Sequence, residues 1–459
     1  MSISVVILAA GMGTRMRTGR AKALHTVAGM TLVGWSLSEA VSLDPEAISV
    51  VVGHEADSVH AVLPPDVAVT VQEPQLGTGH ATQVGLTGLA TTDTTVVVLP
   101  GDMPLITPES LRALVDAHAS SGSAATVMTV GLDDPTGYGR IVRDGERVTA
   151  IVEESDASED QRSISEVNTS VYVFQGAKLA DALTRVTSDN AQAEYYLTDV
   201  IEILVDGGDS VGAVAVPADE GLGVNTQAQL AYAGQILRSR INSDLLEAGV
   251  SMLDPDRVYI DAGVEVASGA NILPDTYLSG ETTVAAGAVV GPDVEAHDSV
   301  IGPNATVRYS VLDGATVGEG ASVGPYAYLR PGAVLKEGAK AGTHVEIKSS
   351  VLGKGSKVPH LSYIGDTEIG EDSNIGAGTI TVNYDGTNKH KTTIGDGAHV
   401  GSDSMLVAPV RIGDDAVTGA GSVITHDVPD GALGIERNDQ KNIEGYAERR
   451  RKRTEERTD

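Results

Sequence analysis

Aliphatic residues recur six apart through much of the second half of the chain. They run Ile260, Val266, Ile272, Leu278, Val284, Val290, then after a slip Val317, Val323, Leu329, Leu335, Ala341, Ile347, and again Ile394, Val400, Leu406, Ile412, Thr418, Ile424. Four residues after most rungs stands a small one, such as Ala270, Ala288, Ala321, Ala327, Ala333, Ala339 or Ala398. A sustained period of six does not fit a helix of 3.6 residues per turn and is the mark of a parallel β-helix. Each unit is then a short strand plus a turn, and three units close one triangular coil. The rung and the small residue point inward. With one Phe and one Trp in 459 residues, the chain suits a coil too narrow for many rings.

Eighteen residues per coil puts Arg330 above Lys348, each just after a rung, and sets Ser402 above Ala420. Two adjacent cations repel, and an anionic ligand would relieve that repulsion. Taken singly, each of these is a solvated corner. His360 follows the rung Val358 by two, with Pro359 fixing the turn. Its imidazole is therefore expected to point outward, and imidazole is the side chain that exchanges protons near neutrality. The period breaks between Asn374 and Ile394, so Gly376 to Lys391 reads as an insertion looping off the coil, at a working face. The tail from Glu448 reads as disordered because charge of both signs crowds it.

The chain is too long for one core. It has no cysteine, which excludes disulfides and thiolate metal sites. The first apolar run is short, lacks a basic flank and leads into glycines, so neither a signal peptide nor a membrane span is expected, and a cytoplasmic location is. A net charge of −31 argues against nucleic acid or an anionic membrane as partner. Small anionic substrates stay compatible where Lys and Arg gather locally.

The first half alternates strand and helix, as a doubly wound α/β domain does. Ser4 to Leu8 is a buried strand leading into Ala9-Ala10-Gly11-Met12-Gly13-Thr14-Arg15-Met16, whose small residues let backbone N–H groups approach a phosphate. Lys22 follows as a point charge for phosphate. A helix is predicted over Leu32–Val41, and strands over Ile48–Val52, Val67–Gln72, Thr95–Leu99, Val148–Glu153, Val167–Phe174 and Val211–Val216. Helices are predicted over Gln192–Leu204 and Thr226–Leu246, the latter joining the α/β domain to the ladder. Asp102 stands just past the apolar strand Thr95–Leu99, where open α/β sheets bind ligands. There it reads equally as a Mg²⁺ ligand or as a turn aspartate.

Leu8-Ala9-Ala10-Gly11, Gln75-Leu76-Gly77-Thr78-Gly79-His80 and Gly101-Asp102 resemble the sugar-1-phosphate nucleotidyltransferases. Joined to a ladder holding Pro359-His360-Leu361-Ser362-Tyr363 and Asn383-Tyr384-Asp385-Gly386, the chain resembles, over essentially its whole length, the bacterial bifunctional N-acetylglucosamine-1-phosphate uridyltransferase/glucosamine-1-phosphate acetyltransferases of UDP-N-acetylglucosamine and cell-wall synthesis. The resemblance implies a uridyltransferase domain over 1–227, a linker helix over 228–248, and an acetyltransferase β-helix with a charged tail over 249–459. It also implies a left-handed coil, against the usual right-handed rule for parallel crossovers, and a homotrimer.

The resemblance further implies that UTP and the sugar lie among Leu8, Ala9, Ala10, Gly11, Lys22, Gln72, Gly77, Thr78, Gly101, Gly139, Glu153 and Asn168. Asp102 and Asn225 match Mg²⁺ ligands, and Arg15 would join Lys22 in neutralising phosphate. His360 matches the general base. Arg330, Lys348, Tyr363 and Asn374 match the sugar-phosphate contacts, and Ala377, Asn383, Tyr384, Ser402, Ala420 and Arg437 match those to acetyl-CoA. Glu346 is a further candidate, as the group that orients His360. Two positions depart from the pattern. Met12 stands where relatives often carry Lys or Pro, and Arg20-Ala21-Lys22-Ala23 lacks the usual proline before the lysine. Two other readings stay open: a single-activity sugar nucleotidyltransferase whose β-helix serves assembly alone, and a non-enzymatic scaffold built from similar domains.

Overall fold

The computed structural model describes residues 2–457. Contacts divide the chain after Ile241, a point inside the helix Gln227–Glu247 that the sequence marks as the connection.

The first unit is a mixed sheet with helices on both faces. Its strands lie in the order Val211–Ala215, Ala125–Gly131, Glu166–Gln175, Thr94–Pro100, Ser2–Leu8, Ala47–Val52, Ala68–Val71. Glu166–Gln175 runs antiparallel to both its neighbours, while Ser2–Leu8 pairs in parallel with the strands on either side. Strand periodicity sorts the apolar residues. Val5, Ile7, Val50, Val97 and Leu99 pack on one face with Val33, Leu111 and Leu114. Val6, Val51, Val96 and Val98 pack on the other with Leu179, Val200 and Ile201. A strand buried on both faces has to be apolar throughout, and Thr95–Leu99 is nearly so. Some of the helices begin at side-chain caps. Thr31 accepts the Gly34 N–H before Leu32–Val41, and Thr107 accepts the Ser110 N–H before Pro108–Ser121, which has proline in its first turn.

The second unit is three long parallel sheets built from strands of two to four residues. Every third strand pairs, so Leu329 lies under Ile347 and Ile347 under Ile364. These rungs are fully buried, as are Ala288, Ala321, Ala333 and Ala339. The apparent slip after Val290 is not a break in the coil. Val290 pairs with Val307 and Ile301 with Val317, so these coils are shorter by one or two residues and their rungs fall out of a strict six.

Three further expectations need correction. Ile380–Val382 is a strand of the coil, not part of an insertion; Thr381 takes the rung and pairs with Leu406. The segment that leaves the coil is 383–391, between that strand and Thr392–Ile394. The helix predicted from Gln192 begins only at Asp199 and ends at Asp206. The Asn190 carboxamide explains the delay: its oxygen accepts the Gln192 and Glu194 N–H groups (both 3.2 Å) and its nitrogen donates to the Glu194 carbonyl (2.6 Å), locking a turn where a helix would start. The charged tail holds a helix over Tyr446–Glu455, with Glu448 and Lys452 paired one turn apart (3.3 Å); Thr458 and Asp459 lie outside the described residues.

Candidate active sites

In the first unit the ends of the central strands and the glycine-rich loop enclose a cleft of about 640 Å³. Every residue matched above to the nucleotide, sugar or Mg²⁺ lines it, from Leu8 to Asn225, together with Arg15 and Met12. Its floor is backbone. The Gly101 N–H donates to the Leu8 carbonyl (2.8 Å) and the Ala9 N–H to the Val51 carbonyl (2.8 Å), so three strand ends are fixed to one another. Gly13 has φ +68° and lies so close to Lys22 that a Cβ would stand 2.6 Å from the Lys22 Cβ. Gly77, at φ +105°, opens the helix Thr78–Gly85, and a Cβ there would meet the Tyr195 carbonyl oxygen at 2.6 Å.

One end of the cleft is cationic. The Lys22 ammonium pairs with the Asp102 carboxylate and donates to Asn225 Oδ1 at 3.0 Å. Arg15 donates to the same Oδ1 at 2.8 Å. The Val224 N–H donates to the Asp102 carbonyl (2.9 Å), which ties the two candidate metal ligands together through the backbone. Two oxygens from distant segments thus already face one cation. That donor set, all oxygen and few in number, suits Mg²⁺, which keeps waters and shares its shell with substrate phosphates. Among the described residues no cluster of three or more His, Cys, Asp or Glu forms a metal cage.

Elsewhere the cleft is lined by polar side chains. Gln72 Nε2 donates to the Gly77 carbonyl (2.9 Å) and lies 3.2 Å from His80 Nδ1. Asn168 sits at a bulge between Asn168 and Tyr172 and donates to the Tyr172 hydroxyl (2.7 Å). Burial pushes the Glu153 carboxyl above its ordinary range. Thr198, which donates to it at 3.2 Å, opposes this, while Asp199, Asp156 and Glu194 raise it further. The cleft also holds residues that sequence reading did not single out. Gln75, within a quoted motif, donates to the Ala10 carbonyl (2.7 Å); Tyr138 and Glu194 carried no signal.

In the second unit Arg330 and Lys348 follow paired rungs, as the eighteen-residue spacing requires: the Arg330 N–H donates to the Ile347 carbonyl (2.8 Å). His360 is exposed at the end of the strand Lys357–His360, in register with Thr343. Tyr363 opens the next strand, beside Glu346. Asn374 lies in register with Lys357, at the far end of that strand from His360. The hydrogen-bond partner of Glu346 is Arg330. The Glu346 carboxylate accepts from Arg330 at 2.8 Å, because the two stand on neighbouring coils of one sheet.

The loop 383–391 folds back over this corner. Asp385 Oδ1 accepts the Thr387 and Asn388 N–H groups (2.8 and 2.7 Å), and Oδ2 lies 2.6 Å from His390. The Asn388 N–H, His390 and the Thr387 N–H hold the Asp385 carboxyl down at about 2. Buried Asn383 donates to Asp366 (2.5 Å) and, at 3.5 Å, to the Tyr363 hydroxyl. Tyr384 is exposed, its hydroxyl donating to the Gly386 carbonyl (2.7 Å). Lys389, missed by sequence reading, comes beside Lys348, whose hydrogen bond and then charge lower the Lys389 ammonium below the usual lysine range. Ala377, Ser402 and Ala420 form a column. The Asp403 N–H donates to the Ala377 carbonyl (2.7 Å) and the Gly421 N–H to the Ser402 carbonyl (2.8 Å). Arg437 closes the column, donating to the Ala420 carbonyl (3.1 Å).

A mixed α/β sheet with a roomy cleft that gathers Lys22 and Arg15, joined to a coil of six-residue repeats, defines a nucleotidyltransferase fused to a hexapeptide-repeat transferase. The MobA-like NTP transferase domain family matches residues 5–195, and the bacterial transferase hexapeptide (six repeats) family matches 391–426. The chain is 47% identical to a bifunctional protein GlmU from Corynebacterium aurimucosum, covering 98% of this chain and 94% of that one. It is 50% identical to the same protein from Streptomyces avermitilis, again over 98% and 94%, and 47% identical to that from Caldanaerobacter subterraneus subsp. tengcongensis, over 98% of each. The chain belongs to the GlmU family of bifunctional uridyltransferase/acetyltransferases of UDP-N-acetylglucosamine synthesis, and its coil is the left-handed parallel β-helix of hexapeptide transferases.

Proposed function

We propose that the two corners described above are the two active centres of this bifunctional enzyme, with the residue roles implied by family resemblance. In the β-helix, Arg330 and Lys348 bind the phosphate of glucosamine 1-phosphate. His360 takes a proton from the amine, which attacks the acetyl-CoA thioester carbon; the C–S bond breaks and CoA leaves as its thiol. Tyr363 and Asn374 complete the sugar-phosphate contacts, and Asn383, Tyr384, Arg437 and the column Ala377, Ser402, Ala420 carry acetyl-CoA. In the α/β unit, the phosphate of N-acetylglucosamine 1-phosphate attacks the α-phosphorus of UTP in line, and pyrophosphate leaves. No protein nucleophile is needed; holding two anions together is the main task. Lys22 and Arg15 neutralise phosphate charge, the Leu8–Gly11 backbone approaches the phosphates, and Gln72, Gly139, Glu153 and Asn168 hold base and sugar. Asp102 and Asn225 would hold Mg²⁺, which when bound supplies charge to the phosphate oxygens.

The observation that carries this reading is the convergence of Lys22, Arg15, Asp102 and Asn225 in a cleft lined by the glycine loop. A homotrimer and a cytoplasmic setting belong to the same proposal. Among the described residues no helix is long and apolar enough to cross a membrane. The test is direct: purified protein is supplied with acetyl-CoA and glucosamine 1-phosphate, and separately with UTP and N-acetylglucosamine 1-phosphate. Formation of N-acetylglucosamine 1-phosphate and UDP-N-acetylglucosamine is expected, from a species near three times 47.3 kDa by light scattering. Failure of either reaction in a folded trimer overturns the assignment of that centre.

A further inference from the structure

Lys22 must stand at the phosphate end of the cleft, yet it opens a three-residue turn, Lys22–Leu24, with no side-chain cap at its start. Two side chains outside the cleft lining reach that turn: His25 Nδ1 lies 3.1 Å from the Lys22 carbonyl oxygen, and Glu55 holds the residue before Lys22. Glu55 Oε2 accepts the Ala21 N–H at 2.5 Å, across 34 residues of chain. Ala21 is fully buried, whereas Glu55 lies at the surface.

The corner that carries Glu55 also touches the glycine loop. It leaves the strand Ala47–Val52 at Gly53, where a Cβ would meet the Ala10 carbonyl oxygen at 2.8 Å. The His54 N–H donates to that same carbonyl at 3.3 Å. Glu55 itself is held in the left-handed region (φ 53°, ψ 39°) before the short helix Ala56–His60. A non-glycine residue there is strained, and such strain persists where surrounding structure imposes it. The effect is to aim a carboxylate at one backbone N–H. A carboxylate is a poor ligand for triphosphate, so Glu55 gains nothing by touching substrate. A charge-assisted bond to a backbone donor is, however, among the stronger local restraints available.

We propose that Glu55 is a positioning residue for uridyl transfer: by accepting the Ala21 N–H it holds Lys22 where the phosphates of UTP pass. This rests on the assignment of Lys22 as a phosphate-binding group. The geometry at position 21 offers an independent lever. Ala21 has φ −53° and ψ 135°, close to the φ of about −65° that proline imposes. Proline there would lack the N–H that Glu55 takes, but its ring would restrain the chain directly.

Five proteins decide the matter: K22A, E55A, E55Q, A21P and the double variant E55A/A21P. Each is assayed for uridyl transfer, with acetyl transfer and thermal unfolding of the same preparation as controls for folding. Loss of one hydrogen bond to a charged group corresponds to roughly 10- to 100-fold. E55A is expected to lose uridyl transfer in that range, in kcat more than in the KM for UTP, while acetyl transfer holds. E55Q, which keeps an oxygen acceptor, recovers most of the loss. A21P is close to wild type, and E55A/A21P is far better than E55A. A purely structural role for Glu55 gives no rescue by a proline 34 positions away. If K22A is crippled but E55A is fully active, or if the double variant is as weak as E55A, the positioning role is overturned and Lys22 stands. If K22A is fully active, the Lys22 assignment falls and takes this proposal with it.

Discussion

Arg330 and Glu346 lie on successive coils of one sheet, their guanidinium nitrogen and carboxylate oxygen 2.8 Å apart. The pair is partly exposed, so its own stabilisation is modest. Its consequence is positional. Glu346 holds the guanidinium at the edge that Lys348 shares, so under the proposed assignment a phosphate arriving there would find two cations already spaced. A charge-assisted hydrogen bond contributes about 1.5–3 kcal/mol. R330A is therefore expected to raise the KM for glucosamine 1-phosphate by about 10- to 100-fold, with kcat less affected. Initial rates across sugar phosphate concentrations check this; an unchanged KM removes Arg330 from the phosphate site.

Asp102 shares Lys22 with Asn225. D102A should abolish formation of UDP-N-acetylglucosamine and resist rescue by added Mg²⁺, because one of two protein oxygens is gone. Acetyl transfer should persist, since its residues belong to the other unit. Equal loss of both activities in a folded variant would sink the assignment.

His360 is exposed beside the corner that Tyr363 and the 383–391 loop complete. Removing a general base typically costs about 10²–10⁴ in rate. H360A should lose acetyl transfer by that factor, with acetyl-CoA binding by calorimetry kept and uridyl transfer from supplied N-acetylglucosamine 1-phosphate unchanged. Acetylation at the wild-type rate assigns the base elsewhere.

Glu39 gives a pH dependence of stability whose sign is fixed. It is 8% exposed, and one carboxylate oxygen has no partner. Burial, then Glu109 and Glu220 against the opposing charge of Arg240, raise its carboxyl to about 7. Between its ordinary value near 4.5 and 7 the folded chain keeps a proton that the unfolded chain has released. Stability from this group is thus full below that window and falls as pH rises through it. E39Q should unfold at a higher temperature than wild type at pH 8, and the advantage should shrink or vanish at pH 4.5. Melting curves at the two pH values check it; an equal offset at both would rule out titration of Glu39.

The ladder was legible because a rung has one job, to fill a narrow interior, and Ile, Val, Leu and Ala do it at every sixth position. It became illegible where the geometry changed, and at Thr381, where a polar rung coincides with a break in the period. Thr381 is fully buried, and its hydroxyl accepts the Gly365 N–H at 2.7 Å, so a polar side chain stands inside without an unmet hydrogen bond. That hid the strand Ile380–Val382 and made the insertion look longer than it is. The parallel strands of the α/β unit were visible as apolar runs. The late start of the helix at Asp199 was not, because Asn190 acts through hydrogen bonds to residues that otherwise read as helical. The candidate site residues were drawn from family resemblance and spacing, and those matched to nucleotide, sugar and Mg²⁺ line one cleft. For Glu346 the sequence does not show which neighbour it meets; in the structure it meets Arg330.

The coil has a mechanical consequence. Each turn of the prism rests on the one below and carries the one above, so its cohesion is a sum of nearest-neighbour terms, as in a linear chain of coupled spins. The rungs Leu278, Leu329, Ile347, Ile364 and Leu406 belong to one such stack. Damage should therefore stay local. A cavity cut at Leu278 would loosen adjoining turns and leave distant ones nearly as rigid as before, whereas one cut at Ile364 would loosen the turns that carry His360 and Tyr363. Amide exchange along this half of the molecule should follow a gradient, fraying from the termini of the stack, not a single cooperative step.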